Sequence, residues 1–64
     1  MIKLTRLNKN RKETFMLNCE LIETVEELPD TTIKLVNANR YVVEDSVADV
    51  ISKVIAFKRS IYSR

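Results

Sequence analysis

The sequence predicts an α+β protein, with a small antiparallel β-sheet of four to five strands and one C-terminal amphipathic α-helix. The first two thirds of the chain hold short runs rich in β-branched and aromatic residues, separated by turn-forming residues. The last third carries apolar residues at three- and four-residue steps, the spacing of one helix face. Because the chain has 64 residues, 45% of them apolar, we expect a single domain over residues 1–64.

Two strands joined by a basic loop are predicted at the start of the chain. Apolar and polar residues alternate over residues 2–7, with Ile2 and Leu4 on one side, and alternate again over residues 13–17. The loop between them, Asn8-Lys9-Asn10-Arg11-Lys12, is polar and holds two Asn, a residue that tolerates turn conformations. We therefore predict a hairpin.

Residues 18–28 are ambiguous, because apolar side chains there follow the spacing of a helix: Leu21, Ile22, Val25 and Leu28. However, residues 31–36 form a β-rich run, and Leu28-Pro29-Asp30-Thr31 before it is a strong turn signal. A hairpin between strands at residues 22–27 and 31–36 accounts for both features. We favour this hairpin over a helix.

A last strand is predicted over residues 40–44, where Tyr41 and Val43 alternate with Val42. The turn before it, Asn37-Ala38-Asn39, contains no Gly, so Asn is the residue expected wherever the turn needs a positive φ. Strands that follow one another through short turns form a meander, and this is the sheet we expect.

A helix is predicted over residues 46–62. Ser46 followed by Asp49 resembles a capping box, with Asp in place of Glu. Acidic residues lie near the start of the helix and basic residues toward its end, which suits the helix dipole.

The apolar stripe of this helix is wider than a small sheet needs, because some of its apolar side chains spread beyond the central line: Ile55, Phe57, Ile61 and Tyr62. An exposed apolar patch commonly marks an interface, so another protein or a second copy is one explanation. The other is that the sheet covers the whole stripe. The sequence leaves both open.

The residue types on which most catalysis depends are missing. The chain has no His for acid–base chemistry and no Gly for a phosphate-binding loop. Cys19 has no His to activate it, so we expect a packed side chain. The Glu residues within 20–27 are expected to form a solvated edge, with Glu23 and Glu27 on the same side as Val25. We expect no enzyme activity, no cofactor and no metal.

The expected location is the cytoplasm. The first residues lack the apolar centre of a signal peptide, and no stretch approaches the roughly 20 apolar residues of a membrane-spanning helix. A single cysteine fits a reducing compartment. Contact with a membrane is expected only through a partner.

Basic residues are the remaining candidate binding feature, although a net charge of +2 is mild and solvation is their ordinary role. They cluster at the first hairpin and recur on the helix. Together with the surplus apolar side chains they give the predicted partner-binding set: Arg6, Lys9, Arg11, Lys12, Ile55, Phe57, Lys58, Ile61 and Tyr62. Open sheet edges also make a homo-oligomer attractive.

Six blocks of the sequence, taken in order, are similar to one family. They are Met1 to Asn8, Phe15 to Asn18, Glu20 to Glu26, Pro29 to Leu35, Tyr41 to Glu44, and the acid-capped helix ending Phe57-Lys58-Arg59. In this order and spacing they resemble the short flagellar proteins called FlbD or SwrD, over nearly the whole chain. Where that family usually has Asn-Gly, this chain has Asn8-Lys9 and Asn37-Ala38.

The resemblance implies a cytoplasmic motility and swarming protein of flagellated bacteria, with no known enzymatic activity. Its implied role is to help the flagellar motor deliver force through protein–protein interaction. The candidate partner is the stator or another basal-body component, at the cytoplasmic face of the basal body.

A second resemblance gives the alternative. A short β-rich chain that opens with an Ile/Leu-Thr-Arg strand and closes with a helix is also similar to the carbon-storage-regulator family of RNA-binding proteins. Arg6 would match a basic RNA-contacting position of that family's first strand. The Gly-containing motifs and the later RNA-binding strand of that family are not recognisable here.

Overall fold

The computed structural model describes residues 1–62, and for Tyr62 the backbone only. Its elements are β1 (Ile2–Arg6), β2 (Glu13–Leu17), a 3₁₀ turn (Cys19–Leu21), β3 (Ile22–Glu27), β4 (Thr31–Leu35), β5 (Arg40–Val43) and α1 (Val47–Tyr62). The predicted α+β class, with five antiparallel strands and a C-terminal helix, is confirmed. The choice of a strand over a helix at residues 22–27 is confirmed as well.

The strand order is β2-β1-β5-β4-β3, which corrects the simple meander. Strands β2 and β3 follow each other in the chain but lie at the two edges of the sheet. Instead, β5 pairs with β1: Leu7 N–H donates to Val42 at 3.0 Å and Glu44 N–H to Thr5 at 2.8 Å. This arrangement puts β1 inside the sheet, where Leu4 is completely buried.

The sheet must curve for its two edges to be joined as they are. Only residues 18–21 link the end of β2 to the start of β3. Five Cα–Cα steps span at most about 18 Å, whereas the outer strands of a flat five-stranded sheet lie about 19 Å apart before any stagger is added. The curvature gives the sheet a concave side. Within the described residues α1 packs mainly against β1 and β3.

A β-bulge explains why Ile22 and Val25 follow a helical spacing within a strand. In the β3–β4 ladder Ile22 lies opposite Leu35, but the next paired residue is Thr24, opposite Lys34, so Glu23 is extra. An extra residue shifts the two-residue alternation by one. Ile22 and Val25 therefore both face the core although they are three positions apart.

The bulge also corrects the expected position of Glu23. Its carboxylate lies 3.3 Å from the Lys34 ammonium, and Lys34 alternates with two buried neighbours, so Glu23 belongs to the outer face, away from α1. Glu27, beyond the bulge, lies on the side of Val25 as predicted and reaches the helix.

The core lies between the concave side of the sheet and the first half of α1. Strand residues supply most of it, and Val50, 1% exposed, is the helix residue at its centre. The buried cluster is Ile2, Leu4, Leu17, Cys19, Ile33, Leu35, Val43 and Val50. Burial of Cys19 agrees with its predicted packing role.

The start of α1 is capped from two sides. Ser46 Oγ accepts a hydrogen bond from the Asp49 N–H at 3.1 Å, which is the capping interaction predicted from the sequence. Another of the unpaired N–H groups of the first turn, that of Val47, donates to Glu27 Oε1 of β3 at 3.0 Å. The cap therefore fixes where the helix begins and also connects the helix to the edge strand β3.

Asp45, in the connection after β5, and Lys53 of α1 form an ion pair that connects the helix to β1. Lys53 Nζ lies 2.7 Å from Asp45 Oδ2 and donates to the Lys3 carbonyl oxygen at 2.7 Å. Asp45 Oδ1 accepts from the Thr5 N–H at 2.8 Å. Backbone groups of β1 that have no strand beside them are thus satisfied by two side chains. We call Asp45, Lys53 and these two β1 groups the junction clamp.

The charge of Asp45 is stabilised by the clamp. Its side chain is only 10% exposed, and this burial alone would raise the pKa of the carboxyl. The hydrogen bonds from Lys53 and from the Thr5 N–H, with the Lys53 charge, outweigh burial and hold the pKa below its usual range. Ionised Asp45 therefore favours the folded state.

The turn between β4 and β5 differs from the expectation for positive φ. Ala38, not an Asn, has the positive φ of 74°. Ala38 N–H donates to the Leu35 carbonyl at 3.0 Å, and Asn37 Oδ1 accepts from the Asn39 N–H at 3.1 Å. Asn37 is used as a side-chain acceptor, so the strained conformation falls on the residue after it.

Replacing Ala38 with Gly should stabilise the protein. The left-handed region costs an L-residue roughly 1–2 kcal/mol, and Gly recovers most of this after its larger loss of chain entropy, so we expect a gain of about 1 kcal/mol. Urea unfolding of wild type and Ala38→Gly measures it. The control is Ala56→Gly inside α1, which should lose about 1 kcal/mol. A loss of stability in both variants would contradict the turn geometry.

Replacing Asp45 with Asn should destabilise the protein at neutral pH. Asn keeps an acceptor for the Thr5 N–H but loses the charge that Lys53 needs, a loss of about 1–3 kcal/mol for a charged hydrogen bond. Because the folded-state pKa of Asp45 is lowered, its contribution is present above the unfolded pKa and disappears as the pH falls through the folded pKa.

Urea unfolding of wild type and Asp45→Asn at neutral and at acidic pH measures how the stabilisation by Asp45 changes with pH. The stability difference between wild type and Asp45→Asn should shrink as the pH falls below about 4. The exposed Asp30→Asn is the matched control and should change little at either pH. A difference between wild type and Asp45→Asn that is constant with pH would mean that the carboxylate charge does not stabilise the fold.

Candidate functional site

An apolar depression on the described surface runs between α1 and the edge strand β3. We call it the α1–β3 groove. Its volume is about 260 Å³. Seven of its lining side chains are apolar and one is basic: Cys19, Ile22, Val25, Val50, Ile51, Val54, Ile55 and Lys58.

The groove exists because none of the described residues packs over one flank of α1. Ile51 and Ile55 are one helical turn apart and lie on the same flank, with Lys58 continuing the line. Ile51 is 50% exposed and Ile55 is 47% exposed, whereas Val50, one residue earlier, is at the centre of the core. The helix therefore buries one apolar line and presents a second one to solvent.

Strand β3 forms the other wall. The β-bulge turns both Ile22 and Val25 toward the helix, and each is partly buried against the core. Cys19, 6% exposed, is a buried part of the lining. The groove thus has a fixed floor and two half-exposed isoleucines at its mouth.

The apolar residues predicted to bind a partner do not form one patch. Ile55 and Lys58 line the α1–β3 groove. Phe57 is on the other flank, in a shallow depression of about 350 Å³ with Met1 and Ile2. Ile61 is 45% exposed near the end of the helix. The Tyr62 side chain lies outside the described residues.

Arg6, also predicted to bind a partner, makes contacts within the fold. Its guanidinium carbon lies 4.6 Å from the Phe15 ring centroid and 5.7 Å from that of Tyr41. The two rings are 5.4 Å apart, and Arg6 Nε is 3.4 Å from Glu13 Oε1. These contacts connect β1, β2 and β5.

The basic loop residues are exposed and partly balanced by acids. Arg11 lies 3.5 Å from Glu13, and Lys12 lies 4.0 Å from Glu44. Lys9 is exposed at the loop. The structure brings the basic residues to one end of the first hairpin, away from the lining of the groove.

Sequence reasoning missed most of the groove. Ile51 is absent from the predicted partner-binding set, although its four-residue separation from Ile55 is a signal for a shared flank. The contribution of Ile22 and Val25 depends on a bulge, for which the sequence gives no local signal.

Two further observations concern the described range, residues 1–62. None of its helices has the length and apolar content needed to cross a membrane. No three His, Cys, Asp or Glu side chains within it are grouped as a metal site would need.

Comparison with known proteins gives a single result. The FlbD family, described as flagellar and swarming motility proteins, matches residues 1–62. No curated protein and no solved structure matches significantly. The match spans almost the whole chain and agrees with the resemblance found in its sequence blocks. The chain belongs to the FlbD family of flagellar and swarming motility proteins.

Proposed function

We propose that this chain is a non-catalytic accessory protein of the flagellar motor that binds another flagellar protein through the α1–β3 groove. Family membership supports the role in motility. The observation that carries the binding site is the pair of half-exposed isoleucines, Ile51 and Ile55, on an unpartnered flank of the helix. Covering them would remove apolar surface from water, which favours association.

The shape of the groove favours apolar side chains of a partner over an added strand. Its lining is almost entirely apolar, which is typical of sites that accept an amphipathic helix. Strand addition beside it would have to use β3, whose edge carries a bulge and several Glu residues. Bulges and charges are features that protect an edge from pairing.

The partner expected from the resemblance is a stator or basal-body component, and binding it would support force generation at the cytoplasmic face of the motor. Lys58 at the groove, with the mild positive charge of the chain, would favour an acidic residue near the partner's apolar contacts.

The RNA-binding alternative uses a different surface. It needs Arg6 and the basic loop to contact phosphates, and a steep loss of affinity with salt would reveal such contacts. Arg6 is stacked on Phe15 and paired with Glu13, so RNA would have to compete with both. Filter binding with RNA over a salt series separates this alternative from groove binding.

Polar substitutions in the groove should remove function without unfolding the protein. In Ile51→Gln with Ile55→Gln, both side chains are half exposed and little core is lost. We expect capture of flagellar motor proteins to fall at least about tenfold, the effect of 1.4 kcal/mol. The measurement is cross-linking pull-down with tagged protein from flagellated cells, read by mass spectrometry, beside a swarming assay of the same strains.

The matched control is Val36→Thr with Val42→Thr, which changes two exposed apolar residues outside the groove lining. It should keep both capture and swarming. Thermal unfolding of each variant verifies that the fold is retained. Normal capture and swarming by the folded groove variant would remove the groove from the function, and enrichment of RNA without motor proteins would favour the alternative.

A further inference from the structure

The backbone of β1 shows which side of β2 is unpaired. The odd-numbered residues of β1, and Leu7 just after it, direct their backbone groups toward β5 and the clamp. Leu7 N–H donates to the Val42 carbonyl, Thr5 bonds the backbone of Glu44 and the side chain of Asp45, and the Lys3 carbonyl accepts from Lys53. Backbone direction alternates along a strand. The even-numbered residues of β1 therefore bond β2, where they lie opposite Leu17, Phe15 and Glu13.

The same alternation leaves the intervening residues of β2 directed away from β1. The N–H and C=O groups of Thr14 and Met16 thus point to the open edge of the sheet. Both side chains are exposed, that of Met16 at 57%. Within residues 1–62 the edge offers two residues whose backbone donors and acceptors have no strand beside them.

The edge of β2 lacks the usual protection. All five of its residues pair with β1 in unbroken register, with no bulge. Apart from Glu13 at its start, β2 contains neither a charged residue nor Pro. Edge strands of this kind are templates for pairing with another strand. Strand β3, at the other edge, is bulged and acidic by comparison.

The charges at the two ends of this edge are self-complementary. Lys12 is four residues before Met16, and Glu20 is four residues after it. Both side chains are exposed, and the Lys12 ammonium is only loosely paired with Glu44, at 4.0 Å. In an antiparallel copy centred on Met16, the end of β2 that carries Lys12 would lie beside the other copy's 3₁₀ turn, which carries Glu20.

From these features we propose that the partner of the β2 edge is a second copy of this chain, paired antiparallel about a two-fold axis at Met16. Met16 faces its equivalent and Thr14 lies opposite Asn18 of the other copy. At both ends Lys12 lies near the 3₁₀ turn of the other copy, where Glu20 is the acidic residue. The axis is perpendicular to the sheet, so side chains that face the core in one copy continue on the same side in the other.

The dimer leaves the groove available. None of the residues that pair across the axis lines the α1–β3 groove, so both copies present a groove in the assembly. A partner with two linked binding segments would gain avidity from such an arrangement. The dimer does not depend on the proposed function, because it rests on the edge of β2 alone.

The test is sedimentation equilibrium of the full chain from micromolar to near-millimolar concentration, with Lys12→Glu and Glu20→Lys. Wild type should dimerise. Each single variant brings like charges near each other at both ends of its own dimer, and its dimer dissociation constant should rise about tenfold. A mixture of the two variants pairs opposite charges at both ends. The mixed dimer should therefore form with close to wild-type affinity.

A second variant tests the backbone contacts. Met16→Pro removes an N–H that points to the open edge, so the monomer should keep its fold, as circular dichroism would show, while the dimer is lost. If this variant unfolds, the charge-swapped mixture decides. A monomeric wild type, a folded Met16→Pro that still dimerises, or a mixture no tighter than its single components would overturn the proposal.

Discussion

The junction clamp between Asp45 and Lys53 is the contact on which the arrangement of sheet and helix depends. β5 ends at Val43, which lies opposite Arg6. The earlier residues of β1 therefore have no β5 residue paired with them on that side. An unpaired backbone group taken out of water costs about as much as a lost hydrogen bond. Asp45 and Lys53 supply the missing partners from the connection and the helix, and in doing so fix the helix against β1.

The position of the helix determines what remains open. Its first turn is held by Ser46 and by Glu27 of β3, and its middle is held by the clamp. With both points fixed, Val50 faces the core and the next flank, with Ile51 and Ile55, stays uncovered. The α1–β3 groove is therefore a result of how the helix is attached, and its apolar floor belongs to the same core that stabilises the fold.

Local patterns were enough to predict most elements, whereas their arrangement depended on distant contacts. Alternation and turn residues identified the five strands, and Ser46 identified the helix start. Nothing near β1 in sequence indicates that β5 pairs with it, because that contact joins the first and the last strand of the chain in the middle of the sheet. The bulge at Glu23 makes Ile22 and Val25 face the same side, which the sequence pattern does not reveal. The groove depends on this shared direction. Ala38 adopts the positive φ of this turn, because the Asn37 side chain already serves as a hydrogen-bond acceptor for the Asn39 N–H.

The claim that the clamp orients the helix is tested most directly by amide hydrogen exchange of wild type and Lys53→Met. Met keeps the apolar stem but cannot bond Asp45 or the Lys3 carbonyl. We predict faster exchange at the Thr5 and Val50 N–H groups and throughout α1, with altered methyl signals of Ile51 and Ile55, while the β3–β4 hairpin stays protected. Changes confined to the immediate neighbours of Lys3 and Asp45 would contradict it, because the helix would then hold its position without the clamp.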